Sequence, residues 1–178
     1  MPTPNPIPRN EPYVLDKDTG VTDVWFPVTG GRWTIKLSSD QTEGRLQVLL
    51  GREPRGATPM HVHHTEDECA YILEGELTLV LDDERIDAGP GDFVFAPKGV
   101  PHAFMVRSDH AEILVALGPG GVKGPAGCGL NGLFREVGVP VVEGEDPPGK
   151  VPPDPEVFSR QTAGYEMHIL GPPPSLDH

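Results

Sequence analysis

Residues 59–81 read PMHVHHTEDECAYILEGELTLVL, and their rhythm sets the architecture. Successive side chains of a β-strand point to opposite faces, so residues two apart share a face. A strand over residues 58–63 therefore aims His61 and His63 the same way. After a short turn Glu68 opens a second strand, 68–73, and can return to the same place, with Ala70 and Ile72 on its face lining an apolar interior. Gly75 closes that strand and Glu76 opens a third, 76–81.

The same pattern extends in both directions. Short apolar runs at 24–26, 33–37 and 46–50 precede this stretch, and runs at 84–86, 93–96, 102–106 and 113–117 follow it. Thr29-Gly30-Gly31, Asp82-Asp83, Gly89-Pro90-Gly91 and Pro97-Lys98-Gly99 divide them. Short strands with frequent breakers and almost no helical period predict an all-β sandwich or barrel. The 22 glycines and 22 prolines are about a quarter of the 178 residues, a composition close to that of disordered chains. Disorder is not the reading for the middle, because the prolines gather at the ends and the core glycines fall between strand-like runs.

One domain over residues 1–178 follows: a Pro-rich arm at 1–12, a barrel at 13–118 and a loop-rich C-terminal extension at 119–178. Within that extension, 118–132 reads as Gly-rich loop. Asp154 supplies an N-cap oxygen, Pro155 suits the first helical position and Gly164 suits the stop, so a short helix is expected near 155–163.

The net charge of −13 opposes binding to nucleic-acid phosphate or an anionic membrane, so neither is expected as a partner. No stretch approaches the roughly 20 apolar residues of a membrane span, and the N-terminus lacks the apolar core of a signal peptide. Cys69 and Cys128 are too few for a disulfide scaffold, which points to a reduced, cytoplasmic protein.

A His-x-His pair alone reads more readily as two hydrogen-bonded or exposed strand histidines. The segment 91–102, GDFVFAPKGVPH, changes that, because a strand ends there in a Pro/Gly turn and another begins at His102. The two segments resemble the two signature motifs of the cupin superfamily. The first runs His61-x-His63, four residues, Glu68, six residues, Gly75; the second runs Gly91, five residues, Pro97-x-Gly99, two residues, His102. Fifteen residues separate the motifs, as in compact single-barrel cupins. Four rather than five residues separate Gly56 from His61, and Val106 stands where the second motif usually ends in asparagine. Neither departure touches a ligand position.

The resemblance implies a cupin jelly-roll barrel in which His61, His63, Glu68 and His102 hold one divalent transition metal ion: Fe, Mn, Ni or Co, with Zn possible. Further likeness lies in 74–79 (EGELTL), 91–97 (GDFVFAP), 133–138 (LFREVG) and 169–174 (ILGPPP), which look like the single-barrel bacterial quercetinase-like cupins. That likeness implies a flavonol 2,4-dioxygenase with an aromatic or enolic substrate and O2. The metal takes the flavonol 3-oxygen, Glu68 acts as catalytic base, and the heterocycle opens with loss of carbon monoxide. Two alternatives stay open. One is a metal-dependent isomerase, cyclase or decarboxylase acting on a polyketide-like or dicarbonyl compound, and the other is a non-catalytic small-molecule-binding barrel.

Phe104 and Val106 share the face of His102 and so line the pocket or simply pack the barrel. Glu66 and Asp67 read as a solvated turn, Cys69 as a small core residue, and His64, His110, His168 and His178 as bystanders. Tyr71 and Leu73 lie on the outer face, where a second subunit would make a homodimer.

Overall fold

The computed structural model describes residues 11–119, 123–124 and 127–176. Most of the expected N-terminal arm (residues 1–10), His178 and the side chain of Cys128 lie outside the described residues. The chain runs β1 (Thr22–Phe26), β2 (Gly31–Leu37), β3 (Gln47–Ala57), β4 (Met60–His63), β5 (Asp67–Glu74), β6 (Leu77–Leu81), β7 (Glu84–Ala88), β8 (Phe93–Ala96) and β9 (His102–Gly118). Then come the short pair β10 (Lys123–Gly124) and β11 (Gly127–Cys128), α1 (Gly129–Val137), β12 (Val139–Pro140), α2 (Pro155–Ala163) and β13 (Met167–Gly171).

β9 is the spine. β3 and then β4 follow one of its edges, β5 and then β6 the other, all antiparallel. Where β5 passes to β6, Gly75 crosses β9 with φ +89°, and a Cβ there would lie 2.4 Å from the His110 carbonyl oxygen. Only glycine tolerates both the approach and the backbone angle. A straight 17-residue strand would reach roughly 55 Å. Yet His102 at its start meets Glu68, whose backbone partner on β9 is Leu117 near its end. The sheet is therefore rolled upon itself, and an all-β barrel of the jelly-roll type results.

The inner surface carries Ile35, Leu49, Ile72, Leu77, Val115 and Leu117, nearly all fully buried. The expected strands are present, with one merger: the runs at 102–106 and 113–117 are a single strand, because β5 and β6 serve its two halves in turn.

The C-terminal extension differs from its expected loop-rich character. β12 pairs with β1, and β13 pairs with β4, placing Met167 opposite His63 and Ile169 opposite His61. α2 begins and ends where expected, with the Asp154 carboxylate accepting from the Glu156 and Val157 amides. α1 falls partly within the segment read as Gly-rich loop. Its Leu130, Leu133, Phe134 and Val137 follow the i, i+3, i+4, i+7 spacing of a helix face, and Leu133 and Phe134 are buried.

Candidate metal centre

Two histidines of the cluster are held by ring hydrogen bonds, and the third faces a buried carboxylate. His61 Nδ1 lies 2.8 Å from the Pro59 carbonyl oxygen, and His102 Nδ1 lies 2.9 Å from that of Val100. Those carbonyls are acceptors, so Nδ1 carries the proton and Nε2 keeps a free lone pair. His63 Nδ1 faces the Glu66 carboxylate at 3.4 Å. Glu66, expected in a solvated turn, is instead almost wholly buried. Gln47 donates to its Oε1 through a side-chain amide, and the Gln47 carbonyl oxygen accepts from the Asn131 amide of α1 at 2.9 Å. Gly129 allows that helix to close in, since a Cβ at this residue would lie 2.3 Å from Glu66 Oε1. A carboxylate behind a ligating histidine fixes its tautomer and raises its basicity.

The two motifs also brace each other. Gly99, at φ +81°, donates its amide to the His63 carbonyl at 2.8 Å, and the Lys98 amide donates to Asp67 Oδ1 at 2.9 Å. Ala96 sits opposite Glu68, so the Pro97–Gly99 turn carries the chain directly from the carboxylate to His102.

Candidate ligand atoms of His61, His63, Glu68 and His102 all lie within 4.8 Å of one another, and all four residues are buried. Glu68 Oε2 is 3.4 Å from His63 Nε2 and 3.5 Å from His102 Nε2. The Nε2 atoms of His63 and His102 are buried without a hydrogen-bond partner, as are His63 Nδ1 and Glu66 Oε2 facing each other; a metal bond would relieve the two Nε2 atoms. Burial pushes the Glu68 carboxyl up, but the surrounding imidazoles of His102, His63 and His61 outweigh it and hold it at about 2. Burial, reinforced by repulsion from His102 and His63, lowers His61 to about 3. At neutral pH the cluster thus offers an anionic oxygen and a neutral imidazole, the forms a cation binds. Three imidazoles and one carboxylate fit a divalent metal, and an octahedral ion so held keeps two open positions. No thiol belongs to the cluster among the described residues.

The cluster opens onto a cavity of about 80 Å³. Phe104 and Val106 line it, together with Met167 and Ile169 of β13 and Leu130, Leu133 and Phe134 of α1. Ala70 and Ile72, expected on its wall, do not line it. They share the face of Glu68, but each step of two residues advances about 6.6 Å along the strand, and they are packed into the solid core. Glu53 does line the cavity, a buried acid that went unnoticed because the expected strand 46–50 stopped short of it. Extending β3 to Ala57 places Glu53 on the face of Leu49 and Gly51, and an acid on an inward face is the signal that was there to read.

Among the remaining histidines, exposed His64 lies with its ring centre 4.7 Å from that of exposed His168, and His110 pairs with Glu74 at 3.0 Å on the surface. Cys69 is partly buried and free. No helix of the described residues is long and apolar enough to cross a membrane.

Known proteins share these features. Quercetin 2,3-dioxygenase of Bacillus subtilis is 30% identical over 111 residues, covering 61% of this chain and 32% of its own length. Oxalate decarboxylase OxdC of the same organism is 25% identical over 143 residues, covering 64% of this chain and 36% of its own. The chain thus spans about a third of the length of these two relatives. A solved structure described as a predicted oxalate decarboxylase from Thermotoga maritima superimposes with a TM-score of 0.52 at 20% identity, over 59% of this chain and 96% of that one, and shows the shared fold. Residues 48–118, which contain all four clustered side chains, match the cupin domain, so this part of the chain is a cupin domain.

Proposed function

We propose that the protein is a metal-dependent dioxygenase of the quercetinase type, cleaving a flavonol or a similar enolic or phenolic aromatic with O2. The observation that carries this reading is the setting of Glu68, an ionised carboxylate among three imidazoles on the inner wall of an aromatic-lined cavity. A divalent ion held by His61, His63, Glu68 and His102 would polarise an enol or phenol oxygen and lower its pKa. The histidines serve as anchors: the Nδ1 atoms of His61 and His102 are engaged by the Pro59 and Val100 carbonyls, and that of His63 faces the Glu66 carboxylate at 3.4 Å. Glu68 is then the group in the cluster able to accept the substrate proton as general base. The apolar walls hold an aromatic ring and exclude bulk water from the deprotonated oxygen.

The Bacillus subtilis quercetin 2,3-dioxygenase relative supports this substrate class. Incubation of metal-loaded protein with a flavonol, with and without oxygen, is the test. Oxygen uptake matched to flavonol loss is expected; no oxygen-dependent loss with Fe, Mn, Ni and Co each tried overturns the reading. The oxalate decarboxylase relative favours a second, non-oxidative reading in which the same base acts on a dicarbonyl compound. Turnover without oxygen uptake marks that outcome.

We also infer a homodimer and a cytoplasmic setting. Tyr71 and Leu73 on β5 and Phe93 and Phe95 on neighbouring β8 form an exposed apolar face, each more than 40% exposed. Light scattering on the eluting protein tests the dimer, and a species of 19.2 kDa alone overturns it. The two cysteines and acidic charge support the compartment, which cell fractionation checks.

A further inference from the structure

The proposed reaction uses one end of the cavity, and Glu53 belongs to none of its steps. This acid is 6% exposed and makes no hydrogen bond or ion pair with any of the four clustered residues. Its backbone partner on β9 is Ala111, nine residues along the strand from His102. The Thr29 hydroxyl donates to Glu53 Oε1 at 2.9 Å, and the Trp33 indole N–H donates to the same oxygen. Both donors are thus spent on Oε1. Oε2 accepts from neither, and the residue borders the open cavity.

Two donors on one oxygen make it the carbonyl-like member whenever the group is protonated, and leave the hydroxyl to the other. The environment agrees. Burial pushes the Glu53 carboxyl up to about 7, against the smaller pull of Thr29, Trp33 and the charge of Lys150. The surrounding wall is aromatic: Trp33 stacks on Phe134 with ring centres 5.0 Å apart, and Phe26 meets Phe134 edge-on at 4.6 Å. Such a wall takes a flat ring, and a neutral acid within it recognises an oxygen on that ring.

We propose that Glu53 is a specificity residue, presenting its Oε2 hydroxyl to a hydrogen-bond-accepting oxygen on an aromatic substrate whose other end lies at the metal centre. It rests on the cavity being the substrate site, and it sharpens the substrate class to a flat aromatic with oxygen functions at both ends. Leaving a buried hydroxyl without its acceptor penalises analogues that lack the distal oxygen.

The test is anaerobic binding to the metal-loaded protein, read by quenching of tryptophan fluorescence, with two probes. Quercetin carries phenolic oxygens on its distal rings, and unsubstituted 3-hydroxyflavone does not. Glu53→Leu is expected to weaken quercetin binding about 10–100-fold and to leave 3-hydroxyflavone within about threefold. Glu53→Gln keeps an acceptor for Trp33 and Thr29 and a neutral donor toward the cavity, so it should bind quercetin within about fivefold of the parent. Equal losses for both probes, or a Glu53→Gln protein as impaired as Glu53→Leu, overturn the proposal. So does a parent protein that binds neither flavonol. Binding that follows the expected pattern without oxygen uptake in air overturns the dioxygenase reading and leaves the role of Glu53 intact.

Discussion

Two buried carboxyls face the same cavity from different ends, and their surroundings push them in opposite directions. Glu68 is held down to about 2 and Glu53 is pushed up to about 7. Burial raises both, so burial is not what separates them. Glu68 is surrounded by three imidazoles that favour the anion, whereas Glu53 receives two neutral donors and the weak field of Lys150. The comparison teaches that neighbours, more than depth, decide whether a buried acid is a metal ligand and base or a hydrogen-bond donor.

The sharpest way to break the contrast is to remove the charge at the ionised end. Glu68→Gln keeps the shape, abolishes the anion and should cut flavonol turnover about 100- to 10,000-fold, with metal content reduced and the far-UV circular dichroism retained. Oxygen uptake and elemental analysis read the outcome, and full activity would show that Glu68 is not the base.

The next effect lies at the neutral end and is seen in stability against pH. The folded value for Glu53, about 7, lies above the ordinary 4.5, so the folded chain binds this proton more tightly than the unfolded chain. Its contribution is whole below about pH 4.5 and is lost as pH rises through 7, amounting to about 3 kcal/mol. Glu68 has the opposite sign: its contribution is present above about pH 4.5 and is lost as pH falls toward 2. Urea midpoints across pH 4–8 should fall on the alkaline side for the parent and flatten there for Glu53→Gln. Parallel curves for the two proteins would show that Glu53 does not titrate in this window.

The smallest effect concerns the acid that supports a ligand from behind. Glu66→Ala leaves His63 Nδ1 without its carboxylate and should weaken metal binding about 10–100-fold, measured by competition with a chelator. Unchanged affinity would make Glu66 a purely structural member of the network with Gln47 and Asn131.

The site was legible where its logic is local. His61 and His63 share a face through strand alternation, and Pro97-x-Gly99 followed by His102 marks a turn feeding a strand. Asp154 and Pro155 announce α2 by the same short-range rules. Val139–Pro140 and Met167–Gly171 carried no such mark, because what makes them part of the barrel is pairing with β1 and β4 across more than 100 residues. Glycines 129 and 132 masked α1, although the spacing of Leu130, Leu133, Phe134 and Val137 was helical throughout.

Sequence alone therefore pointed to the strand-rich barrel through periods of two, and to the four clustered side chains through the resemblance that its two motifs carry. Only the tertiary structure decided the fates of the other acids. Glu66 is buried because Gln47, nineteen residues away, and α1 close over it, and Glu53 is pushed up because burial strips it of water while Thr29 and Trp33, arriving from another part of the chain, offset that only in part. The charge state of a buried group is a property of what is packed against it, and those neighbours are set by the way the sheet rolls.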